Sequence, residues 1–146
     1  MKRFFLILTS LLFISSVYSQ DALTEDISAL IKKGNKVFIE TDKESISGRY
    51  LMKQFNKWKY WTVTEDVQEA QFVIAITIKF SDKFAHDPVG KAILAEASAD
   101  FKTSEGQVFK TSPTIEGTAN AFNGYNSYKR AAANLMSKYF KKEFKK

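Results

Sequence analysis

Between Phe72 and Phe80 every second residue is large and apolar: Phe72, Ile74, Ile76, Ile78 and Phe80 alternate with Val73, Ala75, Thr77 and Lys79. A period of two is the side-chain repeat of a strand, so the run predicts a β-strand with one strongly apolar face. That commits the chain to a sheet whose apolar face must be covered. A second run, Ala92 to Lys102, repeats the period with smaller residues. Ile93, Ala95, Ala97, Ala99 and Phe101 alternate with Leu94, Glu96, Ser98, Asp100 and Lys102. Ser104, Glu105 and Gly106 then turn the chain into a hairpin partner that starts at Val108, breaks at Pro113 and resumes toward Ala119, with Gly117 as a further irregularity.

The cover comes from segments of helical period. Leu23, Ile27, Leu30 and Ile31 share a helical face over residues 23 to 33, and Gly34 with Asn35 makes a stop. After a brief strand at Val37 to Glu40, the cluster Thr41, Asp42, Glu44 and Ser45 caps a second helix. This helix turns Ile46, Tyr50, Leu51, Phe55 and Trp58 inward and is weakened by Gly48. Trp61 to Thr64 returns as a strand, so residues 37 to 64 form a strand-helix-strand unit with parallel strands and a right-handed crossover. At the end, Tyr128, Ala131, Ala132, Leu135, Tyr139 and Phe140 recur at three and four and predict an amphipathic helix whose small residues let it approach the alanine-rich strand. The expected fold is α/β (α+β): a two-layer sandwich, with a mixed sheet of about five strands and helices mainly on one face.

Ahead of this domain, Lys2 and Arg3 precede the apolar run Phe4 to Ile14 and then Ser15, Ser16, Val17, Tyr18 and Ser19. The order is that of a secretory signal peptide over residues 1–19, with Val17 and Ser19 small at the cut and Gln20 as the new N-terminus. Residues 20–146 then form one soluble α/β domain of 127 residues, enough for one core. The apolar run is about half the length of a membrane span. The chain has no cysteine, so the cysteine-acylated lipoprotein route, a disulfide scaffold, a zinc-thiolate site and a cysteine nucleophile are all excluded. The expected location is periplasmic or secreted.

Removing Lys2 and Arg3 leaves 20 basic residues against 16 acidic ones, a net charge of +4. The excess gathers in Lys138, Lys141, Lys142, Lys145 and Lys146, which suit a solvated helix end or weak contact with an anionic surface. Nucleic acid is excluded as a partner by export.

Few residues offer chemistry. His86, the sole histidine, stands with Asp82 and Asp87 in a polar loop expected between the two longest strands, a conceivable metal site or hydrolase centre whose spacing is not diagnostic. Serine catalysis lacks a Gly-x-Ser-x-Gly elbow, and the acid pairs Glu65/Asp66 and Glu96/Asp100 read as solvated. No catalytic, metal or cofactor residue is assigned, and no cofactor is expected. Two aromatic clusters offer recognition. Trp61, with Phe55, Trp58 and Tyr60, and the segment carrying Phe122, Tyr125 and Tyr128 are the candidate partner-binding residues, although both clusters also suit core packing.

Trp61-Thr62-Val63 followed by Ala70-Gln71-Phe72-Val73-Ile74, with Glu105-Gly106 at a later hairpin turn, resembles a known envelope pattern. It is that of the amino-terminal domain of the Tol translocation protein, the curli-secretion lipoprotein and the penicillin-binding-protein activator lipoproteins. Gln71 stands where those carry aspartate, and the acylated cysteine of the lipoprotein members has no counterpart. Over residues 36 to 140 the resemblance implies an envelope interaction domain without enzyme activity, and it transfers no catalytic residue. The expected partner is an envelope protein or a glycan.

Overall fold

The structure, a computed structural model, describes residues 27–87, 90–119 and 126–145, with side chains left aside at 82–87, 90–93 and 119. The chain divides into two compact units, Met1–Lys32 and Lys33–Lys146. In the first, residues 27–30 are helical and the Ile31 amide donates to the Ile27 carbonyl at 3.3 Å. The helix thus ends before Lys33, and Leu23 lies outside the described residues. So do residues 1–20, and with them the signal peptide and its cut.

The second unit holds a six-stranded sheet. Its strands are β1 (Lys36–Glu40), β2 (Thr62–Thr64), β3 (Phe72–Asp87), β4 (Gly90–Lys102), β5 (Val108–Thr111) and β6 (Ile115–Ala119). The order is β2-β1-β3-β4, with β5 and β6 both beside β4. β1 pairs in parallel with β2 and β3, while β4 runs antiparallel to β3, β5 and β6. The mixed sheet is as expected. Its sixth strand arises because the β4 partner breaks into two at Pro113. Ser112 bridges the break: its amide donates to the Ala99 carbonyl and its Oγ accepts from the Ala99 amide, each at 2.8 Å. A side-chain oxygen replaces the carbonyl that a regular ladder would supply there.

One helix, α1 (Ile46–Trp58), crosses from β1 to β2. Ser45 caps it, Oγ accepting from the Gly48 amide at 2.9 Å, while the Ser45 hydroxyl donates to the Asp42 carbonyl at 2.7 Å. That carbonyl explains Gly48. A Cβ there would stand 1.8 Å from the Asp42 oxygen, so the glycine permits the tight entry rather than merely weakening the helix. Leu51, Phe55 and Trp58 face inward as expected, and Tyr50 is half-buried. Ile46 does not face inward. It precedes Arg49 by three residues and Lys53 by seven, which puts it on the outward stripe at 53% exposure.

The C-terminal helix comprises α2 (Ser127–Asn134), a π-helical segment (Leu135–Phe140) and a last turn, α3 (Lys141–Glu143). Ser137 Oγ donates to the Ala133 carbonyl at 2.9 Å, a competition with the backbone that loosens α-helical turns. The wider turn adds Met136 to the buried residues Leu135, Tyr139 and Phe140.

Packing grades from small to large along this helix. Ala95, Ala97, Ala99 and Gly117 of the sheet meet Ala131 and Ala132, all buried. Gly117 pairs regularly with Ala95, so it is no irregularity of the strand. Its role is proximity: a Cβ would stand 2.1 Å from the Ala131 amide nitrogen. Asn134 Nδ2 donates to the Glu116 carbonyl at 2.7 Å and fixes the same contact. Farther along, Phe72, Phe101, Phe140 and Phe144 join Phe55, Trp58 and Trp61, with ring centroids 4.9 Å apart for Phe55 and Phe140 and 4.8 Å for Trp61 and Phe144. Gly117→Ala should therefore lower stability by about 1–3 kcal/mol, read from the denaturant midpoint. An unchanged midpoint would contradict the close seating.

Candidate functional site

Four observations place the candidate residues. Trp61 is 4% exposed, its ring packed against Trp58, Phe72, Phe101 and Phe144, so it belongs to the core and presents no surface to a partner. The first aromatic cluster is thereby absorbed by packing, apart from half-buried Tyr60, which stacks on Trp58 at 5.1 Å. Phe122, Tyr125 and Lys146 lie outside the described residues. His86 is not in a loop: β3 runs on to Asp87, and His86 pairs with Lys91 of β4 across an extended hairpin. Among the described residues no three His, Cys, Asp or Glu side chains gather as metal ligands.

Tyr128 lies at a cleft. α1 and the C-terminal helix run side by side in the same direction, since Phe55 meets Phe140 near their ends and both helix starts line one open cleft of about 250 Å³. Its walls are Ser45, Ile46, Ser47, Asn126 and Tyr128. The capping residues of both helices are among them, because Asn126 Oδ1 accepts from the Lys129 amide at 2.9 Å as Ser45 does for Gly48. Ser45 Oγ and Ser47 Oγ are 3.2 Å apart. The Tyr128 ring meets Phe80 edge-on at 4.5 Å, and Phe80 is 60% exposed.

Ile46, Tyr128 and Phe80 thus make an apolar surface beside serine and asparagine groups. This lining can hydrogen-bond and pack, and among the described residues it contains no carboxylate, imidazole or thiol. Sequence reading placed Ile46 in the core and Phe80 on the apolar face of its strand. The available signal was that Phe80 is the last apolar residue of its alternating run, opposite Ala95.

One buried polar group lies elsewhere. Tyr139 is 7% exposed and its hydroxyl has no hydrogen-bond partner among the described residues. Burial, seconded by the Glu143 carboxylate, pushes its phenol up to about 12. Glu143 itself accepts from Lys110 Nζ at 2.8 Å, a hydrogen bond that holds its carboxyl below the usual range.

No protein-family model matches this chain, and no curated protein matches it. Solved structures with a similar arrangement include the uncharacterized lipoprotein B from Nitrosomonas europaea, at 12% identity and TM-score 0.48 over 78% of this chain and 77% of that one. Another is the PelC dodecamer from Paraburkholderia phytofirmans, at 16% identity and TM-score 0.43 over 68% of this chain and 82% of that one. A third is a minor lipoprotein from Acinetobacter baumannii, at 13% and 0.42 over 69% of this chain and 88% of that one. The Tol, curli-secretion and penicillin-binding-protein-activator names suggested by residues 61–74 are not among these three. At such scores the likenesses carry no argument about what this chain binds.

Tyr139 gives a pH test. A phenol raised in the folded state favours the protonated form there, so its contribution is complete below pH 10 and lost as pH rises from 10 through about 12. Tyr139→Phe should leave stability at pH 7 unchanged or raised, since an unpartnered hydroxyl is removed. Between pH 10 and 12 the parent should lose on the order of 2 kcal/mol more than the variant, measured by urea unfolding. Parallel curves would refute the assignment.

Proposed function

We propose that this chain is an exported, non-enzymatic binding domain of a bacterial envelope, which receives a partner protein at the cleft between the starts of α1 and the C-terminal helix. The observation that carries the site is the exposure of Ile46 and Phe80 beside Tyr128, apolar groups that a folded domain gains nothing by leaving in water. The serine and asparagine groups at the rim suit hydrogen bonds that orient an inserted side chain. The export reading is supported by the order of charge, apolar run and small residues over 1–19. It includes a cut before Gln20 and, in a chain without cysteine, no acylation at that residue. No described helix is long and apolar enough to cross a membrane.

The test pairs capture with identity of the N-terminus. The tagged chain, recovered from envelope fractions, should begin at Gln20 and hold an envelope protein that Ile46→Asp combined with Tyr128→Ala releases at least about tenfold, at an unchanged circular-dichroism spectrum. Equal capture by the double variant would remove the cleft from the proposal. A product retaining residues 1–19 would remove the export step.

A further inference from the structure

The two packed helices carry an uneven share of the charge. α1 and its capping residue Lys59 contribute Arg49, Lys53, Lys57 and Lys59, with no acid between Ile46 and Lys59. From Ser127 to Lys145 come Lys129, Arg130, Lys138, Lys141, Lys142 and Lys145 against the single acid Glu143, which Lys110 of β5 engages. All ten cations are exposed. Among the described residues none of the ten forms an ion pair, whereas Lys36, Lys102 and Lys110 of the sheet do. The charge excess is therefore a property of the helical layer and not of the C-terminal end alone.

Helix energetics do not account for it. Cations at a helix C-terminus are favoured by the macrodipole, which covers Lys57, Lys141 and Lys142. Lys129 and Arg130 stand instead in the first turn of the C-terminal helix, and neither long helix has an acid in its first turn. Lys129 and Arg130 oppose the dipole at the start of the C-terminal helix.

We infer that the outer face of these two helices is a docking plane for an anionic membrane surface. α1 is about 20 Å long and the parallel helix beside it is longer, so the cations form a plane rather than a line or a groove. Eight of the ten are lysine, a flexible point charge suited to a diffuse layer of headgroups. Beside the outward residues Arg49, Lys53, Asn56, Lys57 and Lys129, Arg130, Ser137, Lys138, the half-buried Tyr50 ring is covered by Lys129 Nζ at 6.0 Å from its centroid and is not offered to stacking bases. The face adjoins the cleft, since Ile46 shares the outward stripe of Arg49 and Lys53, so the charge substitutions that test it are placed away from the cleft lining.

Sedimentation with vesicles tests the inference. The chain should bind vesicles of phosphatidylglycerol and phosphatidylethanolamine but not phosphatidylcholine, and raising salt from 0.1 to about 0.5 M should release it. Lys53→Glu with Lys57→Glu, and separately Lys138→Glu with Lys142→Glu, should each weaken binding by about tenfold or more. Lys79→Glu on the sheet should leave it unchanged, and this control and both pairs should keep the parental thermal midpoint. Loss confined to the C-terminal pair would overturn the two-helix plane. Equal binding to phosphatidylcholine, or binding to a soluble acidic polysaccharide without binding to vesicles, would overturn the membrane assignment.

Discussion

The contact on which the domain depends is the seating of the C-terminal helix on a floor without side chains of any size. Ala95, Ala97, Ala99 and Gly117 bring the backbone of Ala131 to within a Cβ's reach of β6. Dispersion falls steeply with distance, so the gain comes from this proximity and not from apolar area, of which alanine has little. Toward the other end of the same helix Phe72, Phe101 and Phe140 are fully buried and pack ring on ring. Small residues thus serve one part of the contact and aromatic ones the other.

The same helix organises the surface. α1 packs alongside the first part of the C-terminal helix, and farther on Phe55 reaches Phe140 ring to edge. The cleft opens at the two helix starts. Phe80 continues the apolar face of β3 to the start of the C-terminal helix, where Tyr128 meets it. The exposed sides of these two neighbouring helices, meanwhile, carry cations from distant parts of the sequence.

Much of the fold was legible because its signals are local and periodic. The period of two in Phe72 to Phe80 and in Ala92 to Lys102, the Ser45 cap and the final amphipathic stretch all survive in the structure. Where the reading departed, a tertiary contact decided the outcome. Residues 81–87 are polar enough to look like a loop, yet pairing with β4 continues through them after a register shift between Phe80 and Phe84. Gly48 and Gly117 look like weak points, and each is a place where another backbone comes too close for a Cβ. Among the candidate partner-binding residues, composition did not separate Tyr128, which lines a cleft, from Trp61, which is buried, since aromatic residues that pack and those that bind are of the same types. The cationic plane was half visible: a charge count along the chain finds the terminal lysines but not their alignment with Arg49, Lys53 and Lys57.

The central claim is that the sheet and the C-terminal helix form one cooperative unit joined through the small-residue floor. Native-state amide hydrogen exchange measures this directly. The amides of β3 from Ile74 to Ile78, of β4 from Ala95 to Phe101 and of the helix from Leu135 to Phe140 should open together, with the same free energy and the same denaturant dependence. Helix amides that exchange by a separate, lower-energy opening while β3 and β4 stay protected would contradict it.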